Sequence, residues 1–284
     1  MNEEVIEKSV RKLRKLLKKA PKRPDPEFVH DLRTRSRKFE SILTALKPKA
    51  ARRDAQLLRG MKRVRSRAGK VRDMDVLTGH AATLQQHDEQ QCLVQLLEEL
   101  GRRRAQEAKK LRRVISRRGP LLRRKLKRSA RKLEKKLRNG SNQRTMAEAA
   151  ARVLQLSSDL RNPARLNRSN LHPYRLKVKE LRYVLQLAGN PKSGDFIGQL
   201  GEVKDAIGEW HDWEELIAIA EKVQSHDGSC RLVKGLKDIS QQKFDQAMGA
   251  AEELRGKFLQ AHKTPAAREA PALPVIEAAA KMAA

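Results

Sequence analysis

The chain has 284 residues, of which 39% are hydrophobic, enough for one large or two small globular domains. Its 64 Lys and Arg against 34 Asp and Glu give a formal charge of +30, well beyond what solubility requires, so an anionic partner is indicated. Two cysteines, no cleavable apolar leader and no stretch approaching about 18 apolar residues exclude a disulfide-rich secreted domain and a membrane span. We predict a soluble, cytoplasmic protein.

Helical periodicity runs through almost the whole chain, and no segment shows the sustained alternation of a strand. Leu, Ala, Arg, Lys and Glu dominate, whereas the residues that favour strands are sparse. We therefore predict an all-α fold. The expected helices lie at about 3–20, 27–46, 51–87, 89–117, 120–138, 144–160, 170–188, 195–225 and 229–262.

The two chain ends differ from the rest. Residues 1–21 are basic and amphipathic, which predicts an N-terminal docking helix. Residues 263–284 are rich in Ala and Pro, with little to pack, and are predicted to be a flexible tail. A cluster of Asn, Gly and Ser at 139–143 is the best linker candidate, and it divides the main domain, 22–262, into repeat one (22–139) and repeat two (144–262).

A histidine followed by regularly spaced cations occurs twice, 142 positions apart: His30-x-x-Arg33-x-Arg35-x-Arg37-x-Phe39 and His172-x-x-Arg175-x-Lys177-x-Lys179-x-Leu181. A second echo, at an offset of 139, pairs Gly69-x-Val71-x-Asp73-x-Asp75 with Gly208-x-Trp210-x-Asp212-x-Glu214. We interpret the halves as two copies of one unit. A pseudo-twofold axis between them would bring the two His/Arg faces together at one shared cationic site.

Both motifs are predicted to open helices. In the first copy Asp25 offers an N-cap, with Pro26 in the first turn, and in the second copy Asn170 and Pro173 are expected to do the same. Each motif helix carries an apolar seam, Tyr174, Val178, Leu181 and Leu185 matching Leu32, Ser36, Phe39 and Leu43. The helix that follows each motif helix also carries an apolar seam. Its residues are Leu57, Met61, Val64, Ala68 and Val71 in the first copy and Phe196, Leu200, Val203, Ile207 and Trp210 in the second.

The stripe opposite each seam is cationic, as the wall of a groove would be. Cations also flank the apolar seam that precedes the first Asp motif. The predicted anion-binding residues are His30, Arg33, Arg37, Lys38, Arg59, Arg63, Arg67, Lys70, His172, Arg175, Lys179 and Arg182. The charge surplus is also concentrated, because residues 102–138 hold 19 basic side chains and two acids.

Asp73 and Asp212 admit two interpretations. They could be paired carboxylates for acid/base catalysis, or each could cap a turn or pair with an arginine, and we favour the second. A metal role for His30 and His172 is weakly supported, because no H-x-x-x-H, C-x-x-C or similar cluster supplies further ligands. We predict no metal and no cofactor. A histidine in the first turn of its helix is better placed to donate a hydrogen bond to an anion held by the motif arginine.

These segments resemble the CHAD family, the conserved histidine alpha-helical domain, whose motifs have the form H-x-x-R-x-x-x-[RK]-[RK]-x-R. The resemblance covers about residues 22–262 and rests on His30, Arg33, Arg37 and Lys38, on His172, Arg175, Lys179 and Arg182, and on the Asp segments. Glu40 and Glu180 stand where the family would carry bases. The E-x-E-x-K run of a fused triphosphatase-type domain is absent from this sequence.

The resemblance implies two antiparallel helical bundles with pseudo-twofold symmetry, a central basic pore or groove, and binding of inorganic polyphosphate, often at polyphosphate granules. It implies no enzymatic activity. The alternative is a nucleic-acid-binding protein, although 3% aromatic residues leave few platforms for base stacking. A phosphate-transferring enzyme would need an acidic metal-holding cluster, and no such spacing occurs in the sequence.

Overall fold

The computed structural model describes residues 3–46, 52–84, 90–138, 142–162, 165–188, 193–223 and 231–259. Within these ranges the chain forms α-helices and no strand, so the all-α prediction is confirmed. The helices are α1 Glu3–Lys18, α2 Pro26–Leu46, α3 Arg52–Ala82, α4 Gln90–Arg138, α5 Asn142–Arg161, α6 Arg168–Ala188, α7 Gly194–Val223 and α8 Arg231–Leu254, which a π-helical turn, Arg255–Leu259, extends. No helix among the described residues is both long and apolar enough to cross a bilayer.

The predicted break between residues 117 and 120 is wrong, because α4 continues through Pro120 as one helix of 49 residues. An interior proline costs about 3 kcal/mol. Leu111 and Ile115 before it, and Leu122 and Leu126 after it, are buried. Each such side chain contributes roughly 1.5–3 kcal/mol, so burial of the helix on both sides of Pro120 outweighs the local cost.

The predicted start of α6 is also wrong. The helix begins at Arg168 rather than Asn170, and Pro173 lies inside it. Asn167 is the cap: its Oδ1 accepts hydrogen bonds from the backbone N–H groups of Ser169 at 2.9 Å and Asn170 at 3.2 Å. The Asn170 side chain instead accepts the Asn167 N–H at 2.8 Å, a reciprocal arrangement like a capping box.

The cap of α2 is confirmed, since Asp25 Oδ1 accepts the Phe28 N–H at 2.7 Å and Pro26 is the first helical residue. Asn167 lies 142 positions after Asp25, which is the same offset as that between the motifs. Both motif histidines are consequently the fifth residue of their helix. His30 is thus one residue, and His172 two residues, further from the positive helix end than predicted.

The described residues divide into two compact units. The N-terminal unit takes residues from Met1–Ser141 and Leu216–Val233, and the C-terminal unit takes residues from Asn142–Glu215 and Lys234–Ala284. In the N-terminal unit α1 packs on α2 and α4, and α3 packs on the same two helices, so the four form a bundle. The helix predicted over residues 1–21 is therefore part of this unit.

The C-terminal unit has one apolar core, to which α5, α6, α7 and α8 all contribute. Every residue of the four predicted seams is buried, including Ser36. The predicted tail at 263–284, and residues 139–141 of the predicted linker, lie outside the described residues. The pseudo-twofold relation and the shared groove stay predictions.

Candidate functional site

Arg33 of α2 lies against Gly69 of α3. Its Nε is 3.9 Å from the point that a Cβ on Gly69 would occupy. One turn further along α3, Asp73 Oδ1 is 3.9 Å from Nη1 of the same guanidinium, and both side chains are more than a third exposed. The predicted pairing of Asp73 with an arginine is confirmed. Asp73 lies inside α3, so it does not cap a turn.

Arg175 of α6 has the same relation to Gly208 of α7, but the contact is closer. Its Cζ and Nε lie 3.0 and 3.1 Å from the position of a Cβ on Gly208. The Nε also donates a hydrogen bond to the carbonyl oxygen of Lys204, at 3.0 Å. A side chain at position 208 would displace the guanidinium, so the glycine is what lets Arg175 occupy this position.

The two arginine–glycine pairs are equivalent in the repeats. Arg175 follows Arg33 by 142 positions and Gly208 follows Gly69 by 139. In each copy the glycine leaves room on one helix for the arginine of the preceding helix. The sequence shows the repeated glycine but not its role, and the signal for that role is the recurrence of the glycine together with a repeated arginine.

Repeat two has a second pair of this kind. Arg182 lies against Gly201, with its Nε 3.4 Å from the position of a Cβ. That Nε donates to the carbonyl oxygen of Ile197 at 3.3 Å. Arg175 and Arg182 are seven residues apart on α6, as are Gly201 and Gly208 on α7, so the pairs repeat every two turns of an antiparallel contact.

Repeat one has a carboxylate at the position equivalent to Arg182. Glu40, 15% exposed, forms an ion pair with Arg65, whose Nε lies 2.8 Å from Oε2. Burial raises the pKa of Glu40, and the nearby cations Arg65, Arg37 and Lys62 oppose that shift. Glu180, the other departure from the family pattern, pairs with Arg152 of α5 at 2.6 Å. Both acids thus engage an arginine outside the motifs.

The two motif histidines lie in different surroundings. His30 is exposed. His172 is partly buried, its ring centroid lies 4.4 Å from that of His211, and its buried Nδ1 has no hydrogen-bond partner within the described part of the chain. Burial, followed by the charges of His211 and Arg175, lowers the pKa of His172, while Glu215 opposes the shift. His172 is therefore neutral at pH 7.

The other predicted cations fall into two groups. Arg37 and Lys179 are partly exposed, and Lys38 and Lys70 are exposed. Three cations of α3 lie near α4 instead. Arg67 Nη1 donates to Glu107 Oε2 of α4 at 3.1 Å, and Arg59 and Arg63 line a cleft between α3 and α4.

The positions of two glycines explain why Arg59 and Arg63 lie away from Arg33. Gly60 faces Leu122 of α4, whereas Gly69 faces Arg33 of α2. Nine residues make about two and a half helical turns, so the two glycines are on opposite sides of α3. The structure brings Arg33, Gly69 and Asp73 together. It places Arg59 and Arg63 on the other flank of the helix.

The family model of the CHAD domain matches residues 4–221. The match begins inside α1, earlier than the motifs alone indicated. The crystal structure of the CHAD domain from the plant Ricinus communis is similar over 88% of each chain, with a TM-score of 0.55 and 15% sequence identity, which bears on the fold alone. No curated protein sequence matches the chain.

Proposed function

The chain belongs to the CHAD domain family, and from that premise we propose that it binds inorganic polyphosphate, without transforming it, through the Arg, Lys and His side chains of its two repeated motifs. The family is linked in general to binding of polyphosphate or triphosphate. The observation that carries the proposal is the recurrence of an arginine held against a glycine of the next helix, at Arg33 and at Arg175.

A guanidinium held in this way is preorganised for an anion. Within the described part of the chain Arg175 forms one hydrogen bond, through Nε, so its terminal N–H donors are available to a ligand. Arginine donors match phosphate oxygens in pairs, and a side chain that is already ordered loses less conformational entropy on binding. Lys179 and His172, one turn on either side, add cationic or hydrogen-bonding groups to the same stripe.

The charge of the ligand fits as well. A linear polyphosphate carries about one negative charge per phosphate, and each phosphate neutralised by Lys or Arg releases a counterion, so affinity falls steeply with salt. We also propose that the protein is not an enzyme. Phosphoryl transfer uses metal ions held by carboxylates, and among the described residues no cluster of three or more His, Cys, Asp or Glu could hold one. A phosphate-release assay with magnesium or manganese tests this.

The test of binding uses thermal denaturation with long-chain polyphosphate. A ligand that binds only the folded chain raises the melting temperature. Reversing charge at Arg33, Arg37, Arg175 and Lys179 to Glu removes most of that rise. The matched control reverses four exposed cations of α1, Lys8, Arg11, Lys12 and Lys15, and keeps most of it. A motif variant that binds as well as the control contradicts the site.

A milder pair separates binding from folding. Arg33→Lys with Arg175→Lys keeps both charges and removes the paired donors, so it weakens binding while the ligand-free melting temperature reports any loss of packing. Duplex DNA added at equal phosphate concentration tests the alternative function. If it displaces polyphosphate, a nucleic acid is the better ligand. For the granule proposal, a fluorescent fusion is expected to co-localise with polyphosphate granules.

A further inference from the structure

A cationic cleft lies between α3 and α4, on the side of α3 that faces away from Arg33. It has a volume of about 220 Å³ and is lined by Arg59 and Arg63 of α3 and by Arg118 and Lys125 of α4. Its formation follows from Gly60. A Cβ there would lie 2.6 Å from Cδ2 of Leu122, so a larger residue would force the contact between α3 and α4 to shift. The long cationic side chains line the cleft beside this contact.

The charge of this cleft is uncompensated. None of its lining residues is acidic. Within the described part of the chain Arg59, Arg63 and Arg118 have no hydrogen-bonded or ion-paired partner, and Lys125 donates only to the neutral Gln56 Oε1, at 2.8 Å. Arg67, one turn beyond Arg63, is instead neutralised by Glu107. A bound polyanion would therefore relieve the repulsion among the cleft cations.

The cleft lies beside a strongly cationic stretch of α4. Between residues 108 and 132 this helix carries thirteen Lys and Arg and no acid. At 1.5 Å per residue this stretch is about 37 Å long. A single phosphate ion would occupy only the cleft, whereas a linear polyanion can extend along this cationic stretch of α4. The cleft lining has no aromatic residue on which a base could stack, which favours polyphosphate over a single-stranded nucleic acid.

We infer that the α3–α4 cleft is a second polyphosphate-binding site, in which Arg59, Arg63 and Arg118 contact phosphoryl groups of a chain that extends along α4. The inference rests on the proposed function for the identity of the ligand. It does not rest on the motif residues, because Gly60 and Gly69 are on opposite sides of α3, so the cleft and the Arg33 side face different directions.

The test compares the double variant Arg63→Gln/Arg118→Gln with Arg11→Gln/Lys12→Gln, which removes the same charge from exposed positions of α1. The affinity for long-chain polyphosphate is measured at several salt concentrations. Each lost phosphate contact lowers the slope of log affinity against log salt by about one, so the cleft variant loses about two and the control retains the parent slope. Equal slopes for the cleft variant and the control overturn the inference.

A third variant separates the two sites. Arg33→Gln/Arg175→Gln removes the paired arginines of the motifs and leaves the cleft. If only this variant lowers the slope, the proposed motif site stands and the cleft site falls. If only the cleft variant does so, the cleft site stands and the motif site falls. If single-stranded RNA at equal phosphate concentration displaces polyphosphate from the motif variant, the ligand assigned to the cleft is wrong. Ligand-free melting temperatures confirm that each variant is folded.

Discussion

The two repeats hold the same motif arginine in different ways. In repeat one the Arg33 Nε is 3.9 Å from the Cβ position of Gly69, and the guanidinium lies near a carboxylate; both partners of that ion pair are more than a third exposed. In repeat two Arg175 packs more closely against Gly208, and its Nε donates a hydrogen bond to the backbone carbonyl oxygen of Lys204. The conserved spacing of a motif between copies therefore specifies which helices meet. It does not specify how closely each arginine packs against its glycine.

The largest expected difference between the repeats is at the two glycines. Ala at position 69 has room and gains helix propensity, so Gly69→Ala raises the free energy of unfolding by roughly 0.5–1 kcal/mol. Gly208→Ala displaces the Arg175 guanidinium, and loss of its hydrogen bond to Lys204, worth about 0.5–1.5 kcal/mol, cancels or exceeds that gain. Chemical denaturation of both variants measures the difference. Equal effects of the two substitutions contradict the closer packing in repeat two.

Glu40 is the next place to test the comparison, because repeat two has Arg182 there. Glu40→Gln removes a negative charge beside Arg37 and Lys62, so polyphosphate affinity rises by up to about tenfold. Stability at neutral pH changes by about 1 kcal/mol or less, since the cost of burial and the ion pair with Arg65 oppose each other. Titration calorimetry and denaturation measure the two effects. Unchanged affinity places Glu40 away from the ligand.

The raised pKa of Glu40 gives this variant a pH signature. Between the usual pKa of 4.5 and the raised value the folded chain binds more protons than the unfolded chain. The stability of the parent relative to Glu40→Gln is therefore greatest below pH 4.5 and is lost as the pH rises through that window. If the stability of the parent relative to Glu40→Gln instead increases with pH, burial is not the main influence on the pKa of Glu40.

His172 gives a smaller effect of the opposite sign. Its lowered pKa means that the unfolded chain binds more protons just below pH 6.5, so stability falls as the pH drops through that window and is fully present above it. His172→Gln lacks this loss, so its stability relative to the parent rises between about pH 7.5 and pH 5.5. Leu176→Gln, at an exposed site of the same helix, is the control and follows the parent profile. Parallel profiles for all three chains contradict the prediction.

The smallest effect is expected at Asp73. An ion pair at 3.9 Å between half-exposed side chains is weak, so Asp73→Asn changes the free energy of unfolding by less than about 0.5 kcal/mol. Polyphosphate binding is retained. A complete loss of polyphosphate binding would show that Asp73 is as important for the ligand as Arg33.

Much of the fold was predictable from periodicity and repetition. The four apolar seams follow the helical period, and all their residues are buried. The start of α6 was missed because the two prolines, Pro26 and Pro173, were matched to each other, whereas the constant offset of 142 pairs Asp25 with Asn167. The continuity of α4 was missed because local rules end a helix near a proline, and burial on both sides of Pro120 overrides them.

The sequence by itself determined the helical class, the repeat and the identity of the cations, because these depend on residue type and spacing along one chain. Tertiary structure decided which cations act together. Arg33 packs against Gly69, whereas Arg59 and Arg63 lie in the cleft beside α4. The reason is that Gly60 and Gly69 are on opposite sides of α3, and a different helix packs on each side. The position of Glu40 beside Arg65 was decided in the same way, by the packing of α2 on α3.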